Sequence, residues 1–516
     1  GQAGHLGSPQ PRVTPGAGGC CYARGVNSGP KRRSGTAIAG VTALVVAVVV
    51  ASPSSAPPAV VQAAAPPSFV TYDVVVAPKG PPPTGSMVDL RVEAVYPPGT
   101  ADDLTLDRAA LSFVADVTVA DGDTWRALPA HGRFWSPPGC RARGCRVRYR
   151  FRLTDAARGI DDVDTAALRA GIIIAPTTTW LLSPAGDATA AGTPFRFVVH
   201  AAEGWAFASG LPRTPAGHEG MLSAHDPVAP YSAFGPLTAH HLDAGGGAID
   251  VAVAPGVATA AVLPWVSAAA AAIVAYYGRY PVPRLQLVVL PASASMQGKE
   301  LGGGGASILL APDDDPAHSR NDWVATHEMV HVATPDLSRR YLWMTEGLAT
   351  YVEPIARVRA GQLAADSVWS DMVRGMPKGL AHETDRGMNG TRDWGRLYWG
   401  GALFWLLADV EIRTLTGNRQ SLETSLRAAL AAGGNTHVSW PVERFLDEGD
   451  RPLPRPVLKP LFQKMGVQAM PVDLPALWRQ LGVSARPDGV GVTFDDAAPL
   501  ASVRRAIAGP AVRSTP

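Results

Sequence analysis

The chain has 516 residues and a net charge of +2, with 46% hydrophobic and 17% charged residues. That length exceeds one ordinary domain, so two or three are expected, and the hydrophobic share fits a folded protein. The near-neutral charge gives no reason to propose nucleic acid or an acidic membrane surface as a partner.

Residues 1–65 read as a leader. The first thirty are rich in Gly, Pro and Ser without periodicity, as in disordered segments. Lys31-Arg32-Arg33 then precedes an apolar run from Thr36 to Ala51, followed by Ser, Pro and Ala. A basic flank, an apolar core and small residues make the pattern of a secretory signal, and Val61-Gln62-Ala63 suits cleavage after Ala63. An uncleaved N-terminal membrane anchor is the alternative. Both readings place the protein outside the cytoplasm, in a periplasm or the extracellular space. No other segment reads as long and apolar enough to cross a bilayer. Of the four cysteines, Cys20 and Cys21 precede the signal and would be lost with it. Cys140 and Cys145 flank Arg141-Ala142-Arg143-Gly144 and, in an oxidising compartment, read as a local disulfide closing a hairpin. Two free thiols are the alternative.

Residues 66–254 read as a β-rich domain. Asp89–Val95 and Arg146–Leu153 alternate apolar and polar residues, as half-buried strands do, between turns rich in Pro and Gly. Sheets with one apolar face must stack to bury it, which favours a β-sandwich. The character changes near Pro255. A helix is expected from Pro264 to Tyr277, stopped by Gly278, then a strand at Leu285–Leu290, the run Gly302 to Gly305, and an apolar stretch at Ile308–Leu310. Helices are expected at Asn321–Val332, Trp343–Arg359, Tyr398–Arg413 and Ser421–Ala431, with short helices after them. The division is therefore a leader at 1–65, a β-rich domain at 66–254, a mixed domain of helices and strands at 255–360 and a mainly helical region at 361–516: a multidomain α+β chain.

His327-Glu328-Met329-Val330-His331 carries the chemistry. Residues four apart share a helix face, so both imidazoles can reach one Zn2+ ion, while Glu328 lies next in the turn and can face a water on the metal. A catalytic zinc wants a third protein ligand and an open position. Glu346 lies fifteen positions after His331, on the next helix, and Pro335 ends the first helix between them. Glu353 is the other candidate on that helix.

His-Glu-x-x-His followed by Trp343-x-x-Glu346-Gly347-x-Ala349-x-Tyr351 resembles the gluzincin metallopeptidases, and among them the glycyl aminopeptidase family and the related membrane alanyl aminopeptidases. Tyr277–Leu285 is similar to the entry to their catalytic domain. Tyr398-Trp399-Gly400-Gly401 is similar to their Tyr-x-Lys-Gly helix, with Gly400 in place of the lysine. The resemblance implies a thermolysin-like catalytic domain behind an N-terminal β-domain. It also implies one zinc ion on His327, His331 and Glu346, Glu328 as general base, Tyr398 as donor to the oxyanion, and a peptide or protein as substrate. In these families a strand bearing a glutamate for the free amino terminus lies before the zinc helix. Gly302 to Ser307 fall at that distance and carry no carboxylate, and Glu300 is offset by several residues. Gly303, Gly304 and Gly305 would let a substrate backbone approach. An aminopeptidase and an endopeptidase both stay open, as do a zinc-holding scaffold acting as a binding module and a hydrolase of a small non-peptide substrate.

Overall fold

The computed structural model describes residues 69–509, apart from 80–86, 101, 186–191, 223–228, 293–297, 383 and 488–490. The leader, with its signal or anchor, Cys20 and Cys21, lies outside the described residues.

Alternation builds the first part of the chain. Strand Met87–Tyr96 buries Val88, Leu90, Val92, Ala94 and Tyr96 and exposes Arg91 and Val95. It lies inside an eight-stranded sheet in the order Arg213–Thr214, Gly217–Leu222, Thr193–His200, Val70–Lys79, Met87–Tyr96, Cys145–Phe151, Val114–Asp121 and Thr124–Ala127. Two four-stranded sheets cover it. One contains Ile172–Ile174 and Ser232–Gly235, the other Leu104–Thr105 and Phe134–Trp135. Val74, Val92 and Tyr149 of the large sheet share one core with Ile173 and Phe234 of the first and with Leu104 and Trp135 of the second. Burying the apolar face of each sheet against the others accounts for this layering.

Cys140 and Cys145 are joined, with Cα atoms 4.9 Å apart. The expected hairpin is replaced by a single helical turn, Cys140–Arg143, followed by the strand that Cys145 opens. Gly144, at φ +73°, allows the reversal: a Cβ there would stand 2.7 Å from the Tyr96 carbonyl oxygen.

The boundary expected at residue 254 falls inside a second sheet. Strands Thr238–Ala244 and Gly247–Val253 form a hairpin, and the second pairs in parallel with Arg284–Val289. Ser307–Leu310 follows in parallel, and Gly298–Leu301 closes the edge antiparallel to it. The parallel step needs a crossover, which helix Thr259–Tyr277 supplies. By length and composition this helix could cross a bilayer, contrary to the sequence expectation. It instead buries Val262, Val266, Ile273 and Tyr276 in the core beneath the sheet. That core continues through Trp343, Trp405, Phe445 and Leu481 to Ala508, so among the described residues one core spans both sides of the division expected at residue 360. The described residues all belong to one compact unit.

Candidate active site

The histidine-bearing helix spans Val324–Val332 and starts three residues later than expected. The Asp322 carbonyl accepts from Trp265 Nε1 at 2.7 Å, and the Asp322 carboxylate is held by Arg357. Residues 321–323 therefore form a turn. The helix ends at Val332, ahead of Pro335, and a compact connection leads to the glutamate-bearing helix Leu342–Arg359.

That second helix is fixed by its own motif. Trp343 is fully buried, donates to Asn389 Oδ1 at 3.1 Å and stacks on Phe462. Tyr351 donates to Asp409 Oδ2 at 2.9 Å on helix Gly401–Thr416. Gly347 and Gly401 let the two helices touch backbone to backbone: a Cβ on Gly347 would stand 2.3 Å from the Gly401 Cα. Glu346 precedes that contact. Glu353, the alternative ligand, turns away to Arg357 at 3.0 Å.

Glu346 Oε2 lies 3.4 Å from His327 Nε2 and 3.7 Å from His331 Nε2. One donor atom from each of the three lies within 4.8 Å of the others, and among the described residues this is the one such cluster of three or more ligating side chains. Donors about 2.0–2.1 Å from one tetrahedral zinc ion stand about 3.3 Å apart, so the separations from Glu346 suit such an ion. Burial alone would raise Glu346, but the charge and hydrogen bonds of the two histidines hold it well below the usual carboxylate range. Burial pulls His331 down, yet the Glu346, Glu328 and Glu300 carboxylates outweigh it and push the imidazole up to about 9. For His327 burial prevails and the shift is downward. Three carboxylates converging on two imidazoles form a pocket that favours a cation.

Glu328 is pushed up to about 7, first by burial, with the positive charge of His331 opposing and the charges of Glu346 and Glu300 adding to the rise. Tyr398 sits in a π-helical turn, Arg396–Gly400, just before helix Gly401–Thr416. Its ring centroid lies 6.3 Å from that of His327, with the planes 29° apart. Such turns arise where an extra residue is accommodated in a helix, often at functional sites. Arg396 anchors this one by pairing with Asp385 at 2.6 Å.

Gly303, Gly304 and Gly305 make the turn joining the edge strand Gly298–Leu301 to Ser307–Leu310. The N–H groups of Gly303 and Gly304 donate to the carbonyls of Thr436 and His437, each at 3.2 Å, and Gly305 packs on Gly210. The glycine beside Glu328 is Gly298: a Cβ there would stand 2.8 Å from Glu328 Cγ. Side chains two apart on a strand share a face, so Glu300 points the way Gly298 does, while Lys299 turns to Asp164 at 2.6 Å. Glu300 accepts from Thr436 Oγ1 and is pushed up to about 7, chiefly by burial. Glu300, offset from the glycine run in sequence, lies on a strand too short and too polar to show an alternating pattern.

No family model matches the sequence, and no curated protein matches it. Two solved structures of an M1 zinc metallopeptidase mutant from Deinococcus radiodurans, one with a bound Tyr-Ser-Ala substrate, are 15% identical and cover 78% of this chain and 95% of theirs, at a TM-score of 0.48, too low to argue from. An aminopeptidase N family protein from Idiomarina loihiensis is 14% identical, with a TM-score of 0.59 over 82% of this chain and 81% of that one. The resemblance read from His327–His331 and Trp343–Tyr351 therefore extends to the fold: this chain folds like an aminopeptidase N family protein.

Proposed function

We propose that the protein is an exported zinc-dependent peptidase that hydrolyses peptide bonds next to a free amino terminus. The observation that carries it is the position of Glu346 Oε2, 3.4 and 3.7 Å from the two histidine nitrogens, with Glu328 one residue beyond the first. A zinc ion held there would polarise the scissile carbonyl and make a water more acidic. Glu328 takes the proton of the attacking water and delivers it to the leaving amine; burial tunes its proton affinity toward neutrality, which suits both transfers. Tyr398 donates to the oxygen that becomes negative as the carbonyl turns tetrahedral. Gly298 lets the edge strand approach Glu328 closely, and a substrate lying along that strand would set its amine against Glu300. The fold likeness to an aminopeptidase N family protein is in keeping with this reading. So is the retention of a general base, which a binding scaffold has no use for. Export rests on the leader pattern at 31–63.

The test is hydrolysis of a tripeptide amide by zinc-loaded protein, with the amino terminus free or acetylated. Cleavage of the free form alone is expected. Equal cleavage of both would replace the aminopeptidase by an endopeptidase, and cleavage of neither with zinc bound would sink the peptidase.

A further inference from the structure

One large apolar side chain stands in solvent beside the candidate active site: Trp394 is 59% exposed. Its ring centroid lies 5.4 Å from that of Tyr398, whose ring in turn lies against His327. A row of rings thus runs from a proposed metal ligand into solvent. The segment does not depend on Trp394 for its shape. Asp393 Oδ1 accepts from the Arg396 N–H at 2.8 Å, and Arg396 is tied to Asp385.

The site has two ends. The edge strand passes Val324 and Glu328 at Gly298 and reaches Thr436 at Glu300, where the Thr436 N–H donates to the carbonyl of Val332. Glu300 therefore lies toward the end of the histidine helix, on the His331 side. Tyr398 and Trp394 lie on the His327 side, one turn earlier. A peptide with its amine at Glu300 and its scissile bond at Glu328 carries its leaving-side residue toward Trp394. Lys378 Nζ sits 5.9 Å from the Trp394 ring centroid, so the ring already faces one cation, and a second would be repelled.

We infer that Trp394 is a platform for the residue immediately following the scissile bond, and that it favours an aromatic residue there over glycine and over a cationic residue. This rests on the peptidase reading with the amine at Glu300. The test is calorimetric binding of Ala-Phe, Ala-Gly and Ala-Lys to zinc-loaded Glu328→Gln protein, with Trp394 intact or replaced. Ala-Phe should bind tightest. Trp394→Ala should remove about 2- to 12-fold of its advantage, the worth of one aromatic pair, and Trp394→Phe should keep most of it. Equal affinities for the three dipeptides, or an advantage that survives Trp394→Ala, overturns the inference. If selective binding depends on Trp394 but the wild-type protein hydrolyses none of the dipeptides, the platform stands and the peptidase reading falls.

Discussion

Replacing Gly347 by alanine sets two effects of opposite sign against each other. In an exposed helix the change gains about 0.8–1.0 kcal/mol of helix propensity. Here the added methyl would stand 2.3 Å from Gly401 Cα and C and 2.7 Å from Ala402 N. All three are backbone atoms, so no rotamer change relieves the clash. Ordinary contact begins at 3.4 Å, and the helices must part by about 1 Å. Overpacking of this kind costs about 1–3 kcal/mol, which offsets the propensity gain and leaves a net loss of up to about 2 kcal/mol. The neighbouring Glu346 moves with the helix. Since a metal site tolerates about 0.2 Å in its ligand distances, zinc affinity should fall about tenfold or more. Urea unfolding of the metal-free protein measures the first effect, and competition with a chelator the second. A Gly347→Ala protein more stable than the wild type, or equal to it in zinc affinity, would refute the backbone contact as the device that places Glu346.

Tyr351→Phe removes one donor from Asp409, a buried carboxylate that also accepts from Arg413 Nε at 2.8 Å and from the Leu422 N–H at 2.9 Å. A buried group left one partner short costs about 1–3 kcal/mol, readable by urea unfolding, and a loss well under that range would show the hydroxyl to be dispensable. His218 is packed between Phe197 and Phe207 and is held down to about 4, first by burial, although the Leu211 carbonyl raises it; Arg284 and Arg213 lower it further. Its folded value lies below that of the unfolded chain, so its contribution to stability is complete above pH 6.5 and is lost as pH falls toward 4. The loss amounts to up to about 3 kcal/mol. His218→Phe should flatten that descent, measured by unfolding at pH 7 and pH 4.5; parallel profiles for the two proteins would contradict it.

The centre of the site was legible because its chemistry is local. His327 and His331 share a face through helix geometry alone, and Glu346 is fixed by the motif around it. The strands with clean alternation, such as Met87–Tyr96, were legible for the same reason. Three features were not, and each depends on distant residues. The edge strand Gly298–Leu301 has four residues, all half-buried, and exists through its pairing with Ser307–Leu310. The turn at Asn321–Trp323 replaces a helical one because Trp265 and Arg357 engage Asp322. The division at residue 254 failed because Gly247–Val253 carries the alternation of the preceding strands yet pairs forward with Arg284–Val289. Alternation reports burial of a face and is silent on the partner strand.

The most direct test is the zinc content of purified wild-type, Glu328→Gln and His331→Ala proteins, with hydrolysis of an unblocked peptide measured on the same samples. The wild-type and Glu328→Gln proteins should each hold one zinc per chain, only the wild type should turn over substrate, and His331→Ala should hold little metal. Stoichiometric zinc in His331→Ala, or substantial hydrolysis by Glu328→Gln, would contradict a zinc site built on His327, His331 and Glu346 with Glu328 as its base.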